Sequence, residues 1–203
     1  MKVIAIGRNY SAHAKELNNE IPDKPVIFLK PDTAVLKNNK AFYYPEFSTE
    51  IHYEVELVLK ISKEGKHIAK KFAHKYYEEI GLGIDFTARD LQNSLKAKGL
   101  PWELAKAFDN SAAVSEFVSK SEFADLQNTE FSLKINDELR QLGNTSNMLH
   151  SFDDIISFAS QYFTLKKGDL IFTGTPEGVG EVNIGDRLVG FIENRELLNF
   201  EIK

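Results

Sequence analysis

The chain predicts an α+β fold in which strands dominate and helices are few. Three observations carry that expectation. Residues 51–61 alternate apolar and polar side chains with the two-residue period of a strand. Phe131–Ile135 and Leu139–Leu142 flank Asn136-Asp137-Glu138, a hairpin pattern, and two closing strands flank Glu193-Asn194-Arg195. Only residues 152–163 carry a clear helical stripe, made by Ile155, Ile156, Ala159, Tyr162 and Phe163. Strands in that proportion build a twisted antiparallel or mixed sheet.

Each element follows from local chemistry. Residues 2–6 read as a short strand running into Gly7-Arg8-Asn9-Tyr10. A short helix follows, with Ser11 near its start and Asn18-Asn19 at its end. Pro22, Pro25 and Pro31 confine the next strand to Val26–Leu29. After the 51–61 strand, Gly65 marks a turn, residues 68–77 read as helix and Ile80–Phe86 as strand. Ser151 is a good N-cap for the 152–163 helix, and Asp153 and Asp154 suit the positive end of its dipole. Lys167-Gly168-Asp169 is a turn before the strand Leu170–Thr173, and residues 174–180 form a glycine-rich loop. With no low-complexity linker and no internal repeat, residues 1–203 read as one domain, large enough to bury a core.

Composition excludes several function classes. The 42% hydrophobic and 27% charged content is ordinary for a globular protein. A net charge of −5 gives no reason to expect nucleic acid as a partner. The absence of cysteine removes disulfides, thiolate nucleophiles and sulfur-ligated metals. The apolar run after Met1 is too short for a signal peptide and Arg8 interrupts it; no run reaches the roughly 18 residues of a membrane span. The expectation is a cytoplasmic protein with no membrane partner.

The chemistry centres on the 51–61 strand. One face is apolar; the other sets Glu54 beside Glu56, with His52 adjacent. Glutamate is a poor strand former, and two like charges on one face repel unless something positive lies between them. On strand statistics alone, a half-buried strand with a polar outer face is the preferred reading over metal binding. Asp85, where a strand meets a polar turn, is the best third carboxylate, though by itself it reads as an ordinary strand-end residue. Three carboxylates without sulfur suit a hard cation, Mg²⁺ or Mn²⁺, with positions left open for water or substrate. His13 and Glu16 are three apart on one helical face, so the carboxylate can fix the imidazole tautomer for proton transfer. A surface charge pair has the same pattern. The lysine in Leu104-Ala105-Lys106 lies among apolar residues, where it is either paired, functional or snorkelling from a core edge. The 174–180 loop lacks the ending of a phosphate loop, but its backbone N–H groups can hold a carboxylate.

Taken in order, these segments resemble the fumarylacetoacetate hydrolase family over nearly the whole chain. The matching pieces are Gly7-Arg8-Asn9-Tyr10 with His13 and Glu16, Phe28-Leu29-Lys30-Pro31, Glu54-Val55-Glu56, and Asp85 through Gln92. They continue with Lys98 through Trp102, Leu104-Ala105-Lys106, Thr173-Gly174-Thr175-Pro176 and Gly178-Val179-Gly180. The similarity is greatest to the short, single-domain branch of acylpyruvate hydrolases and oxaloacetate decarboxylases. The resemblance implies a β-sandwich roll, a homodimer, and Glu54, Glu56 and Asp85 as ligands of Mg²⁺ or Mn²⁺. It further implies His13 and Glu16 as a catalytic dyad on a mobile lid over residues 8–20. Lys106 is implied near the metal, Gln92 as a substrate contact, and Arg8, Lys30, Arg89 and Thr175 as further contacts. Ala107 stands where a serine is frequent, and Asp109 through Ala113 lack a proline often found there. Those departures bear on substrate preference more than on the metal.

The reaction implied is metal-dependent cleavage of a C–C bond in a small-molecule 2-oxo acid, by acylpyruvate hydrolysis or oxaloacetate decarboxylation. The alternative is an isomerase or tautomerase of unsaturated 2-oxo diacids, similar to 2-hydroxyhepta-2,4-diene-1,7-dioate isomerase. A non-catalytic ligand-binding β-roll is the reading from another class.

Overall fold

The computed structural model describes residues 1–16 and 22–203. Its backbone is a strand-rich α+β roll, as expected, with five α-helices among the described residues. An eight-stranded mixed sheet dominates. Its spatial order is Val26–Lys30, Val3–Gly7, Leu170–Phe172, Val55–Ile61, Tyr77–Asp85, Ala112–Val114 and Val35–Leu36, with Val118–Ser119 also on the Tyr77–Asp85 strand. A four-stranded antiparallel sheet runs Glu138–Asn144, Glu130–Ile135, Arg187–Ile192, Arg195–Glu201. A small third sheet joins Gly180–Glu181, Ile51–Tyr53 and Thr87–Ala88. No helix of the described residues is long and apolar enough to cross a membrane.

The large sheet carries apolar clusters on both of its faces. Leu57, Leu59, Leu82 and Ile171 pack with Phe131, Leu133, Ile155 and Ile156 in one core. Val58, Val114, Leu170 and Phe172 form a second cluster with Val3 and Ala5. The polar outer face that strand statistics alone favour for residues 51–61 is not formed at the two glutamates: Glu54 is 6% exposed and Glu56 2%. The single strand expected there is two. Ile51–Tyr53 belongs to the small sheet and Val55–Ile61 to the large one, with the break at Glu54. Its antiparallel neighbour breaks at the same level, between Tyr77–Asp85 and Thr87–Ala88. Val55 pairs with Ile84, and the Asp85 N–H donates to the Glu54 carbonyl at 2.8 Å. Changing sheets together is what sets Asp85 against Glu54 and Glu56.

Turn and cap chemistry acts as expected in several places. Asn136 and Asp137 both take positive φ, 52° and 68°, the left-handed pair that a two-residue hairpin turn requires. The helix Phe152–Tyr162 opens on a capping box between Ser151 and Asp154. Ser151→Ala is expected to cost about 1 kcal/mol of stability in urea denaturation, because Ser151 satisfies the Asp154 N–H. The helix at Ser11–Glu16 starts where the sequence places it; Asn18-Asn19 and the end of the 8–20 lid lie outside the described residues.

Three elements differ from expectation. The 68–77 helix shrinks to Lys70–Ala73, because Tyr77 already enters a strand. Helices at Arg89–Ala97 and Glu103–Lys106 follow Asp85, where only a polar turn was expected. The residues Arg89–Ala97 buries are Arg89 and Gln92. Its apolar contribution is limited to Leu91, which packs against the main core and is only partly buried.

Candidate active site

The sheet change at Glu54 builds a buried cluster of opposed charges. Ligand oxygens of Glu54, Glu56 and Asp85 all lie within 4.8 Å of one another. Lys106 Nζ donates to Glu54 Oε2 at 2.7 Å and Asp85 Oδ2 at 2.8 Å. Arg89 Nη2 donates to Glu54 Oε1 at 2.6 Å. Lys30 is fully buried, with Nζ 2.6 Å from Asp85 Oδ1 and bonded to the Ser111 carbonyl at 3.0 Å and to the Lys106 carbonyl. The partly buried lysine of the 104–106 segment is thus a paired one.

These contacts divide the three carboxylates. Burial pushes Glu54 up, but Lys106 and Arg89 outweigh it and hold the carboxyl well below the usual range. Glu56 goes the other way. Burial raises it, and the neighbouring Asp85 and Glu54 charges raise it further. Its one strong partner is the Gly174 N–H, which donates to Oε2 at 2.6 Å. Among the described residues no lysine, arginine or histidine forms an ion pair with Glu56. Asp85 Oδ1 receives no hydrogen bond of normal geometry, although Lys30 Nζ is close. An all-oxygen set with one carboxylate lacking a cation fits a hard divalent ion.

The carboxylates open onto a narrow cleft. Arg8, His13, Arg89, Gln92, Lys106 and Thr175 line it with them. Lys30 sits behind Asp85 and does not line the cleft; neither does Glu16. Arg8 holds φ 60°, a left-handed conformation costly for a residue with a Cβ. The next residue anchors it: Asn9 donates to the Thr173 carbonyl at 2.7 Å and the His150 carbonyl at 3.0 Å, and accepts the His150 N–H at 2.8 Å. His13 is buried, and burial lowers its pKa against the opposing pull of Glu54 and Glu16. The His13 Nδ1 to Glu16 Oε2 distance is 3.4 Å, long for a hydrogen bond. Glu16 is held better by the Gly178 N–H, at 3.0 Å to Oε1. The 174–180 loop therefore binds two carboxylates through backbone N–H groups, Glu56 at Gly174 and Glu16 at Gly178. Gly178 needs its glycine: φ is +91° and a Cβ would meet the Arg140 carbonyl.

His52 does not join the carboxylates. Its Nδ1 accepts from Arg89 Nε at 3.3 Å and its Nε2 faces Glu50 at 2.9 Å, so it braces Arg89. Gln141, buried against this site, carries no signal in the sequence. Its strand neighbours Leu139 and Leu142 are exposed at 55% and 49%, while Gln141 is buried. A bulge opposite Leu133 and Lys134 re-aims the strand and sets Gln141 against Leu133.

The strand-rich roll delivers three buried carboxylates to a cleft shared with Arg8, His13 and Lys106, and comparison with known proteins names its family. The model of the fumarylacetoacetate (FAA) hydrolase C-terminal family matches residues 2–203, and the chain belongs to that family. It is 40% identical over 197 residues to the oxaloacetate tautomerase YcgM of Escherichia coli K12, covering 97% of this chain and 90% of that one. It is 43% identical over 185 residues to a mitochondrial oxaloacetate decarboxylase of Dictyostelium discoideum, covering 91% and 85%. A crystal structure of fumarylpyruvate hydrolase from Pseudomonas aeruginosa, in complex with Mn²⁺ and pyruvate, superimposes with a TM-score of 0.94 at 36% identity, covering 100% and 89%.

Proposed function

We propose that the chain is a divalent-metal-dependent enzyme that forms and reprotonates the enolate of a 2-oxo diacid, with keto–enol tautomerisation of oxaloacetate as its reaction. The observation that carries this is the Glu54–Glu56–Asp85 set opening onto a cleft shared with a buried His13. Those three residues would hold Mg²⁺ or Mn²⁺, which when bound supplies Lewis-acid stabilisation of enolate charge. Lys30, Arg89 and Lys106 already balance the three carboxylates. A divalent ion, with Arg8 on the wall, leaves the cleft positive and suited to a dianion such as oxaloacetate. The relatives support the same substrate class: one is named an oxaloacetate tautomerase and another an oxaloacetate decarboxylase.

The side chains divide the work. With its pKa lowered by burial, His13 is neutral near pH 7 and can take a proton from the carbon beside the 2-oxo group and return it to oxygen. Glu16, anchored on Gly178, restrains the ring. The Gln92 carbonyl oxygen accepts from Arg89 Nη1 at 2.5 Å, which leaves the Gln92 amide N–H groups to donate into the cleft. Arg8 and Thr175 face the cleft as carboxylate partners, and Lys106 adds positive charge beside the enolate.

C–C cleavage is the second reading, favoured by the likeness to the fumarylpyruvate hydrolase. Hydrolysis of an acylpyruvate needs His13 and Glu16 to activate water; decarboxylation of oxaloacetate needs no base. Product analysis by NMR with oxaloacetate and acetylpyruvate, with Mg²⁺ and Mn²⁺, separates the three reactions. His13→Ala is expected to slow tautomerisation and hydrolysis by about a hundredfold or more and to spare decarboxylation. Unchanged tautomerisation and hydrolysis in that variant would remove His13 from the mechanism.

A further inference from the structure

We infer that Gln141 is a positioning residue that aims the Thr175 hydroxyl proton into the cleft, toward an anionic oxygen of the ligand; the inference rests on reading the cleft as a 2-oxo-acid site. Gln141 does not line the cleft and is 1% exposed. Its amide makes three hydrogen bonds. Oε1 accepts the Val55 N–H at 2.9 Å, while Nε2 donates to Thr175 Oγ1 at 2.9 Å and to the Pro176 carbonyl at 3.0 Å. A single side chain from the four-stranded sheet thus joins the residue between Glu54 and Glu56 to the loop that carries Thr175.

Donor and acceptor roles leave one solution. Val55 N–H and the Pro176 carbonyl can each play only one role, so they fix which end of the amide is oxygen and which is NH₂. The NH₂ end then donates to Thr175, whose oxygen must accept. The Thr175 proton is consequently turned away from Gln141. Among the described residues no other hydrogen bond engages that hydroxyl, and Thr175 lines the cleft. A hydroxyl held this way is a fixed donor for an anion, where a freely rotating one presents a lone pair as readily.

Gln141→Glu tests this at constant size. The carboxylate can still accept from Val55 but cannot donate to Thr175, whose proton turns back toward it. The probe is oxalate, a dianion related to 2-oxo acids, titrated calorimetrically into the Mn²⁺-loaded protein. Gln141→Glu and Thr175→Val are each expected to weaken oxalate binding by about tenfold to a hundredfold. The double variant is expected to bind no more weakly than the weaker single, because both remove the same donor. Thr175→Ser, which keeps the hydroxyl, is expected to retain affinity. Gln141→Met, which adds no charge, repeats the cycle if the glutamate variant does not fold. Additive losses, or unchanged oxalate affinity in the Gln141 variants, would overturn the inference. If the wild type binds oxalate but does not tautomerise oxaloacetate, the functional reading fails while the cycle still decides Gln141. If the Mn²⁺-loaded wild type binds no oxalate, both fall.

Discussion

Glu56→Gln is expected to lower oxaloacetate turnover by about a thousandfold or more and, in the metal-free protein above neutral pH, to raise stability. The first effect follows from the loss of one of the three proposed metal ligands. Lewis-acid stabilisation amounts to several kcal/mol, and each 1.36 kcal/mol is a factor of ten in rate. The second follows from the position of Glu56. It is buried beside Glu54 and Asp85 and forms no ion pair with a cation, so its carboxyl is pushed well above the ordinary range. A carboxyl with a raised folded pKa stabilises fully below its unfolded value, about 4.3, and that contribution is lost as pH rises toward the folded value. The metal-free wild type should therefore lose stability with rising pH through that window, and the glutamine variant should lose less. Metal binding must displace the same proton, so affinity for Mn²⁺ should rise with pH. Melting curves in chelator at pH 5 and pH 8 check the stability arm. A glutamine variant less stable than the wild type at pH 8, or one that keeps its turnover, would sink the assignment of Glu56.

Lys106→Met is expected to destabilise the protein by about 3–5 kcal/mol in urea denaturation, the usual cost of removing one partner from a buried ion pair. Lys106 Nζ contacts both Glu54 and Asp85, and these contacts raise its pKa despite its burial. After the change Glu54 keeps Arg89 and Asp85 keeps Lys30, but the space between the two carboxylates holds no charge. Saturating Mn²⁺ should recover part of the loss, since a ligand that binds only the folded state stabilises it by mass action. Turnover should also fall, by about a hundredfold, as the charge beside the enolate goes. A loss under about 1 kcal/mol would mean that the carboxylates are not charged in the folded protein.

Where side-chain pattern matched burial, the fold was legible. The helix Phe152–Tyr162 carries its stripe, its N-cap and its acidic first turn within one short segment, and both hairpins carry their turn residues. The reading failed where the inside of the molecule is polar. The helix Arg89–Ala97 is not among the elements the sequence predicts, and the residues it buries are Arg89 and Gln92. Strand statistics alone favour a solvated face for residues 51–61, because charged residues normally mark one, whereas here Glu54 and Glu56 are buried and Glu54 is paired with Arg89 and Lys106. Gln141 gives no sign of its burial in the sequence, since the bulge that turns it inward belongs to the cross-strand register.

Residue types and short spacings supply the chemical vocabulary: oxygen donors without sulfur, a histidine and a carboxylate one helical turn apart, and a glycine-rich loop with backbone N–H groups to offer. Those are properties of residue types and short spacings, so they survive without coordinates. Which carboxylate lacks an ion-pair partner among the described residues is settled by long-range packing. Arg89 and Lys106 reach Glu54 from 35 and 52 residues away, and Lys106 reaches Asp85 from 21. Pairing across such separations depends on the two central strands changing sheets together, which no local pattern encodes.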